Sequence, residues 1–150
     1  MKNRGFSLIE LIVVMAIAVI LFAIGIPMYA SWSKKTQVKK DIYNIYSLLN
    51  DARVKAFTMK NNCTVSFISS NEFRLTCGNN LLSVINTKTP IGHSFQLGSD
   101  NMTFGIDGSA NIVGTIFSLE LKNKPATCIT VSRLRIAIGE WDGKDCKVEE

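Results

Sequence analysis

One stretch of the chain limits its possible folds more than any other. From Phe6 to Trp32 the residues are almost wholly apolar, and Glu10 is the only charged side chain, which leaves Leu11 through Ser33 uncharged. A run this long is enough to cross a bilayer, which takes about 20 residues as a helix. It also exceeds the apolar core of an ordinary secretory signal, about 7 to 15 residues. Met28-Tyr29-Ala30 only imitates a cleavage site of that kind. Glu10 needs an explanation, because a carboxylate in such a segment costs up to about 3 kcal/mol unless it meets water or a partner. It can reach the headgroups from a helix end, or it can pair with a positive charge.

The flanking residues favour pairing. Lys2, Arg4, Gly5, Phe6, Ser7, Leu8, Ile9, Glu10 and Leu11 read K-x-R-G-F-S-L-I-E-L. This closely resembles the prepilin signal of type IV pilins and type II secretion pseudopilins. The resemblance implies that a prepilin peptidase cuts between Gly5 and Phe6 and methylates the new amine of Phe6. Glu10 then serves assembly: the amine of Phe6 on one subunit pairs with Glu10 on a neighbour, and two costly charges cancel. Pro27 stands where pilins commonly carry a helix-loosening proline, and with Gly25 it is expected to weaken or kink the helix. The implied location is the bacterial inner membrane, single-pass with a periplasmic head, followed by a pilus or pseudopilus filament. The positive-inside preference points the other way, since Lys34, Lys35, Lys39 and Lys40 outnumber Lys2 and Arg4. The leader is more specific than a charge count, and the cysteines independently favour export.

Beyond the apolar run, Val38, Ile42, Ile45, Leu49, Ala52, Ala56 and Met59 recur at gaps of four and three, one stripe of a helix. Asn61-Asn62 ends it after about three heptads, too short a run for the stripe to be read first as a coiled coil, so it is expected to pack on a sheet. Cys63, Val65 and Phe67 alternate with polar residues, as do Phe73, Leu75 and Cys77. Folding about Ser69-Ser70-Asn71 pairs 67 with 73, 65 with 75 and 63 with 77, all on one face. That opposes two of the four cysteines within disulfide reach and leaves Cys128 for Cys146. A carboxyl-terminal disulfide loop also resembles what many type IV pilins carry. A four-cysteine metal site is the alternative, but it usually shows close C-x-x-C pairs that are absent here. Further strands are expected at 81–85, 94–97, 103–106, 112–121 and 128–138.

The formal charge of +5 falls to +3 without Lys2 and Arg4, and residues 61–150 carry eight basic residues against nine acidic ones. A nearly neutral head gives no support by itself for nucleic-acid binding. His93 is the only histidine, and neither a nucleophile motif nor a phosphate-cradling loop is present, so catalysis, a metal or a cofactor is not expected. Arg133 and Arg135 are the candidate ligand residues, sharing a face if the chain is extended there. Ser132-Arg133-Leu134-Arg135 resembles the Gly-Arg-x-Arg motif of FimT-type pilins that bind DNA in natural transformation, with Ser132 in place of the glycine. Ile129 and Val131 have one parity and Leu134, Ile136 and Ile138 the other, so a bulge or turn is expected near residues 132–134 if both sets face the core. Glu140, Asp142 and Asp145 are expected to repel phosphate. Phe104-Gly105-Ile106-Asp107-Gly108 and the later strand with Arg133 resemble the GspH/FimT class of minor pilins.

The expected fold is α+β, a type IV pilin fold with one long amino-terminal helix on a mainly antiparallel β head. Its segments are a leader at 1–5, a transmembrane and filament-core helix at 6–33, an amphipathic helix at 34–60 and a β-rich head at 61–150. The expected role is a minor pilin whose partners are the prepilin peptidase and other pilins. A DNA-uptake pilin and a GspH-type pseudopilin of type II secretion are the alternatives.

Overall fold

The computed structural model describes residues 8–122, 124 and 126–148. Helix α1 (Leu8–Met59) is followed by β1 (Cys63–Ser69), β2 (Glu72–Cys77), β3 (Asn80–Asn86), β4 (Ile91–Phe95), β5 (Asn101–Phe104), β6 (Gly114–Ser118), β7 (Cys128–Val131), β8 (Ile136–Trp141) and β9 (Cys146–Lys147). The chain divides into two compact units, one ending at Lys35 and the other beginning at Thr36.

In the first unit α1 is apolar on every side, and its large side chains, such as Ile9, Leu21 and Ile26, are exposed. A helix with no polar face is satisfied only by lipid or by other helices. The helix continues through Gly25 and Pro27. Pro27 has no N–H, so one rung of the helical ladder is missing there.

The second unit holds the α+β head. Four strands lie in the order β3-β2-β1-β5 and five in the order β4-β6-β7-β8-β9, and all described pairings are antiparallel. Val38, Ile42, Ile45, Leu48, Leu49, Ala52 and Ala56 of α1 join Val65, Phe73, Leu75, Met102, Phe104, Ile116 and Ile129 in one core. Each large side chain buried there contributes about 1.5–3 kcal/mol. Met59 is not part of the stripe: it is 55% exposed at the helix end, and Leu48 packs inward instead.

Pairing within the first hairpin sets Phe67 against Phe73, Val65 against Leu75 and Cys63 against Cys77, as the alternation predicts. A disulfide joins Cys63 to Cys77 and another joins Cys128 to Cys146. Three strand limits differ from expectation. Strand β4 begins at Ile91, and the segment read as its continuation winds into a 3-10 turn at Gln96–Gly98. Strand β6 is shorter than the apolar run around it: after Ser118 the chain turns, with Ser118 Oγ accepting from Glu120 N–H and Leu121 N–H. The last long run is broken into β7 and β8 by a turn.

A polar brace joins α1 to the connection between the two sheets. Asp41 is 2% exposed within the apolar stripe. Its Oδ2 accepts from Lys88 N–H at 3.1 Å, Thr89 N–H at 2.9 Å and Thr89 Oγ1 at 2.7 Å. Its Oδ1 accepts from Gln37 Nε2 at 3.0 Å. These bonds offset the cost of burying a carboxylate, and they fix the strand-to-strand crossing from β3 to β4 against the helix.

Candidate functional site

Gly5 and Phe6, the residues flanking the expected cut, lie outside the described residues. Glu10 falls in the first turn of α1 and is exposed. A carboxylate at this end of a helix lies by the positive pole of the backbone dipole. Its neighbours at three and four residues on, Val13 and Val14, are exposed and apolar, so on that side the described residues offer it no charge. Among the described residues, one helix is long and apolar enough to cross a membrane, and none of its most apolar 18-residue window is buried.

The second candidate is the turn between β7 and β8. Val131 pairs with Ile136. Between them Ser132 N–H donates to Arg135 O at 2.8 Å, and Ser132 Oγ donates to the same oxygen at 3.0 Å. Arg135 N–H returns a bond to Ser132 Oγ at 3.2 Å. The chain is therefore bent, not extended, and the two arginines do not stand on one strand face. Ser132 supplies through its hydroxyl an order of its own to the loop. The turn also resolves the change of parity, since Ile129, Val131 and Ile136 all face the core while Leu134 is 77% exposed. Arg133 and Arg135 are both exposed.

Three contacts hold this turn to the rest of the head. Arg53 of α1 donates from Nη1 to Leu134 O at 3.1 Å, with its guanidinium 5.6 Å from the centre of the Phe104 ring. Ala110 N–H donates to Arg133 O at 2.9 Å. Asp107 accepts from Ser109 N–H and Oγ, which holds its carboxyl below the usual range, and the charge of Arg133 adds to the effect. Arg53, Val54, Phe57, Asp107, Gly108 and Leu134 line a groove of about 340 Å³ beside it. The carboxylate facing the turn is thus Asp107. Asp142 and Asp145 lie beyond the far end of β8, about 20 Å along the strand, and Asp142 is held by Lys144 N–H, Asp145 N–H and Lys147 Nζ.

His93 sits in β4 with Nε2 3.1 Å from Asp100 Oδ1 and its ring against Phe67 and Phe95. Among the described residues no cluster of three His, Cys, Asp or Glu side chains could hold a metal. Two residues escaped the sequence reading. Asp41 and Arg53 both lie on α1 and act through backbone atoms of segments 47 and 81 residues away. The available signal was the isolated acid at 41, three residues after Val38 and four before Ile45, where a helical stripe should be apolar.

What these features define is a chain with a long amino-terminal helix, almost wholly apolar in its first part, followed by an α+β head. Residues 1–26 match the family described as Prokaryotic N-terminal methylation motif. The chain is also similar to Fimbrial protein EcpB of Eikenella corrodens, 27% identical across 87% of this chain and 99% of that one. No solved structure matches it. The motif and the fimbrial relative together support a place for this chain in the type IV pilin superfamily.

Proposed function

We propose that this protein is a minor type IV pilin, cut by a prepilin peptidase between Gly5 and Phe6, methylated at Phe6 and inserted into a filament through the apolar part of α1. The observation that carries this reading is the exposed, all-round apolar helix whose single charge is Glu10. Before assembly the helix is held in the inner membrane with the head in the periplasm. In the filament neighbouring helices replace lipid, and Glu10 pairs with the amine of Phe6 on an adjacent subunit. The role is structural, and the partners are other pilins.

Intact-mass measurement of the protein from bacteria with and without the peptidase tests this. The expected product lacks residues 1–5 and carries one added methyl group. A mature chain retaining Lys2 and Arg4 would refute processing. In the same cells Glu10→Gln is expected to be cut normally but to be missing from sheared filaments.

A second reading, a pilin that binds DNA for uptake, is favoured by one observation: the turn that presents Arg133 and Arg135 to solvent is held at Leu134 O and Ser132 Oγ. Ordered cations lose less entropy on gripping phosphates than mobile ones. Titration of the full chain in detergent with duplex DNA, beside the variant Arg133→Gln/Arg135→Gln, decides it. Removing two phosphate-gripping charges should flatten the salt dependence by about 2 in slope. Equal affinity and slope for both proteins would return these arginines to the solvated surface.

A further inference from the structure

The cations along the helical part of the head are not used alike. Lys55 pairs with Asp51 at 2.8 Å, Arg53 donates to Leu134 O, and Lys60 holds Nζ 4.0 Å from the centre of the Phe57 ring. Lys39 and Lys40 are exposed and have no ion-pair partner among the described residues. A third lysine joins them from far along the chain. Lys88 follows β3 and is likewise exposed with no ion pair among the described residues. Its N–H donates to Asp41 Oδ2 at 3.1 Å, which fixes its backbone against the helix one residue beyond Lys40.

The acids at this end do not serve the three lysines as counter-ions. Asp41 is 2% exposed, and its oxygens accept from Gln37, Lys88 N–H and Thr89. Glu120 lies on the turn where Leu119 N–H donates to Pro90 O, and Lys122 and Lys124 follow it, so that turn adds no net negative charge.

Position in the chain identifies the partner. Lys39 and Lys40 follow Ser33, the last residue of the uncharged run, by six and seven positions. That is about 10 Å at the rise of an α-helix. The headgroup layer beyond the hydrocarbon is about 5–8 Å deep, and a charge acts across about 10 Å at ordinary salt. Lysine stems extend the reach. These lysines also oppose the proposed orientation, because positive charge on the exported side is disfavoured. An attraction on that side offsets the conflict.

We propose that Lys39, Lys40 and Lys88 form a collar that binds the headgroup phosphates of anionic phospholipid, such as phosphatidylglycerol, where the head emerges from the bilayer. This rests on the reading that the apolar part of α1 lies in a membrane. Each lysine near an anionic surface strengthens the attraction about fivefold. Asp41 makes the three act together by setting Lys88 beside the other two. The collar seats the head on the bilayer until the subunit leaves it.

The test uses the full chain in nanodiscs of phosphatidylcholine, alone or with a minority of phosphatidylglycerol. Brief amine acylation at low ionic strength, followed by peptide mapping, reads each lysine separately. With the anionic lipid, acylation of Lys39, Lys40 and Lys88 should slow severalfold. Lys60, twenty positions past Lys40 and about 30 Å along a helix, should not change. Salt at about 1 M, where the screening length is about 3 Å, should restore the rates. Lys39→Gln/Lys40→Gln should return Lys88 most of the way to its rate in neutral discs. Equal rates in both discs, slowing at Lys60 as great as at Lys88, or Lys88 as protected in the variant as in the parent would overturn the proposal. So would protection in neutral discs by inorganic phosphate, since the site would then bind the free ion. Failure of the membrane reading shows separately: a chain that does not float with phosphatidylcholine vesicles after an alkaline wash lacks the anchor itself, and the collar falls with it.

Discussion

Replacing Asp41 with alanine removes one acceptor group and strands several donors at once. Thr89 is 4% exposed, so its N–H and hydroxyl lose their partner without gaining water. A buried donor left unpaired costs about 1–3 kcal/mol, and relief of the carboxylate's own desolvation offsets part of the sum. The net expectation is a loss of about 3 kcal/mol. For a head of about 115 residues, Thr36 to Glu150, each kcal/mol corresponds to about 4 °C, so the melting temperature should fall by about 12 °C. Asp41→Asn keeps an oxygen for Thr89 but gives up the charge assistance, and Gln37 must turn its own oxygen toward the new amide. About half the loss is expected, because a charged acceptor makes bonds roughly twice as strong. Urea unfolding of the full chain in detergent measures both, with Trp32→Phe in the background so that Trp141, stacked 4.1 Å from Phe117, is the reporter. An unchanged m-value with a shifted midpoint would mark a stability effect. If Asp41→Ala lies within about 0.5 kcal/mol of the parent, a size typical of ordinary surface changes, the brace is not a strong tether between helix and crossing.

Two further outcomes follow from local geometry. The N–H group of Asp145, then that of Lys144, with Lys147, lower the carboxyl of Asp142 from 3.8 to about 2. Because the folded value is the lower one, its ordering of the loop is complete above the ordinary value and is lost as pH falls through about 2. A carboxyl-carbon NMR titration of Asp142 with a midpoint near the ordinary value would contradict this. Arg53→Met should leave stability nearly unchanged, because Nε and Nη2 are buried without partners and their removal offsets the lost bond to Leu134 O. The same variant should speed amide exchange at Arg135 severalfold; unchanged exchange would mean that Ser132 alone holds the turn.

Local pattern carried much of this structure and could not carry the rest. The β1–β2 register was legible because alternation and opposed cysteines demand the same pairing. The break between β7 and β8 was legible as a conflict of parity, but its form was not, because Ser132 closes the turn with its own hydroxyl. Arg133 and Arg135 were found as a pair of charges, whereas the face they would share does not exist in a bent chain. Met59 follows the spacing of the stripe, yet the helix ends there with no sheet left to cover it. Asp41 and Arg53 could not be assigned partners, because those partners are backbone atoms of distant segments that periodicity does not bring together. Glu10 was conspicuous for the opposite reason: its surroundings are wholly local.

Both disulfides lie within sheets, Cys63–Cys77 across one hairpin and Cys128–Cys146 from β7 to the short strand beyond β8. Neither ties the Val38–Ala56 stripe to the strands it covers. Under a pulling force the head's strands are riveted but its grip on the helix is not. Tension on that segment is borne in shear by the apolar stripe and the Asp41 bonds. The rupture point of a loaded subunit would therefore be set by non-covalent contacts, and a reductant would soften the sheets without directly releasing the shaft.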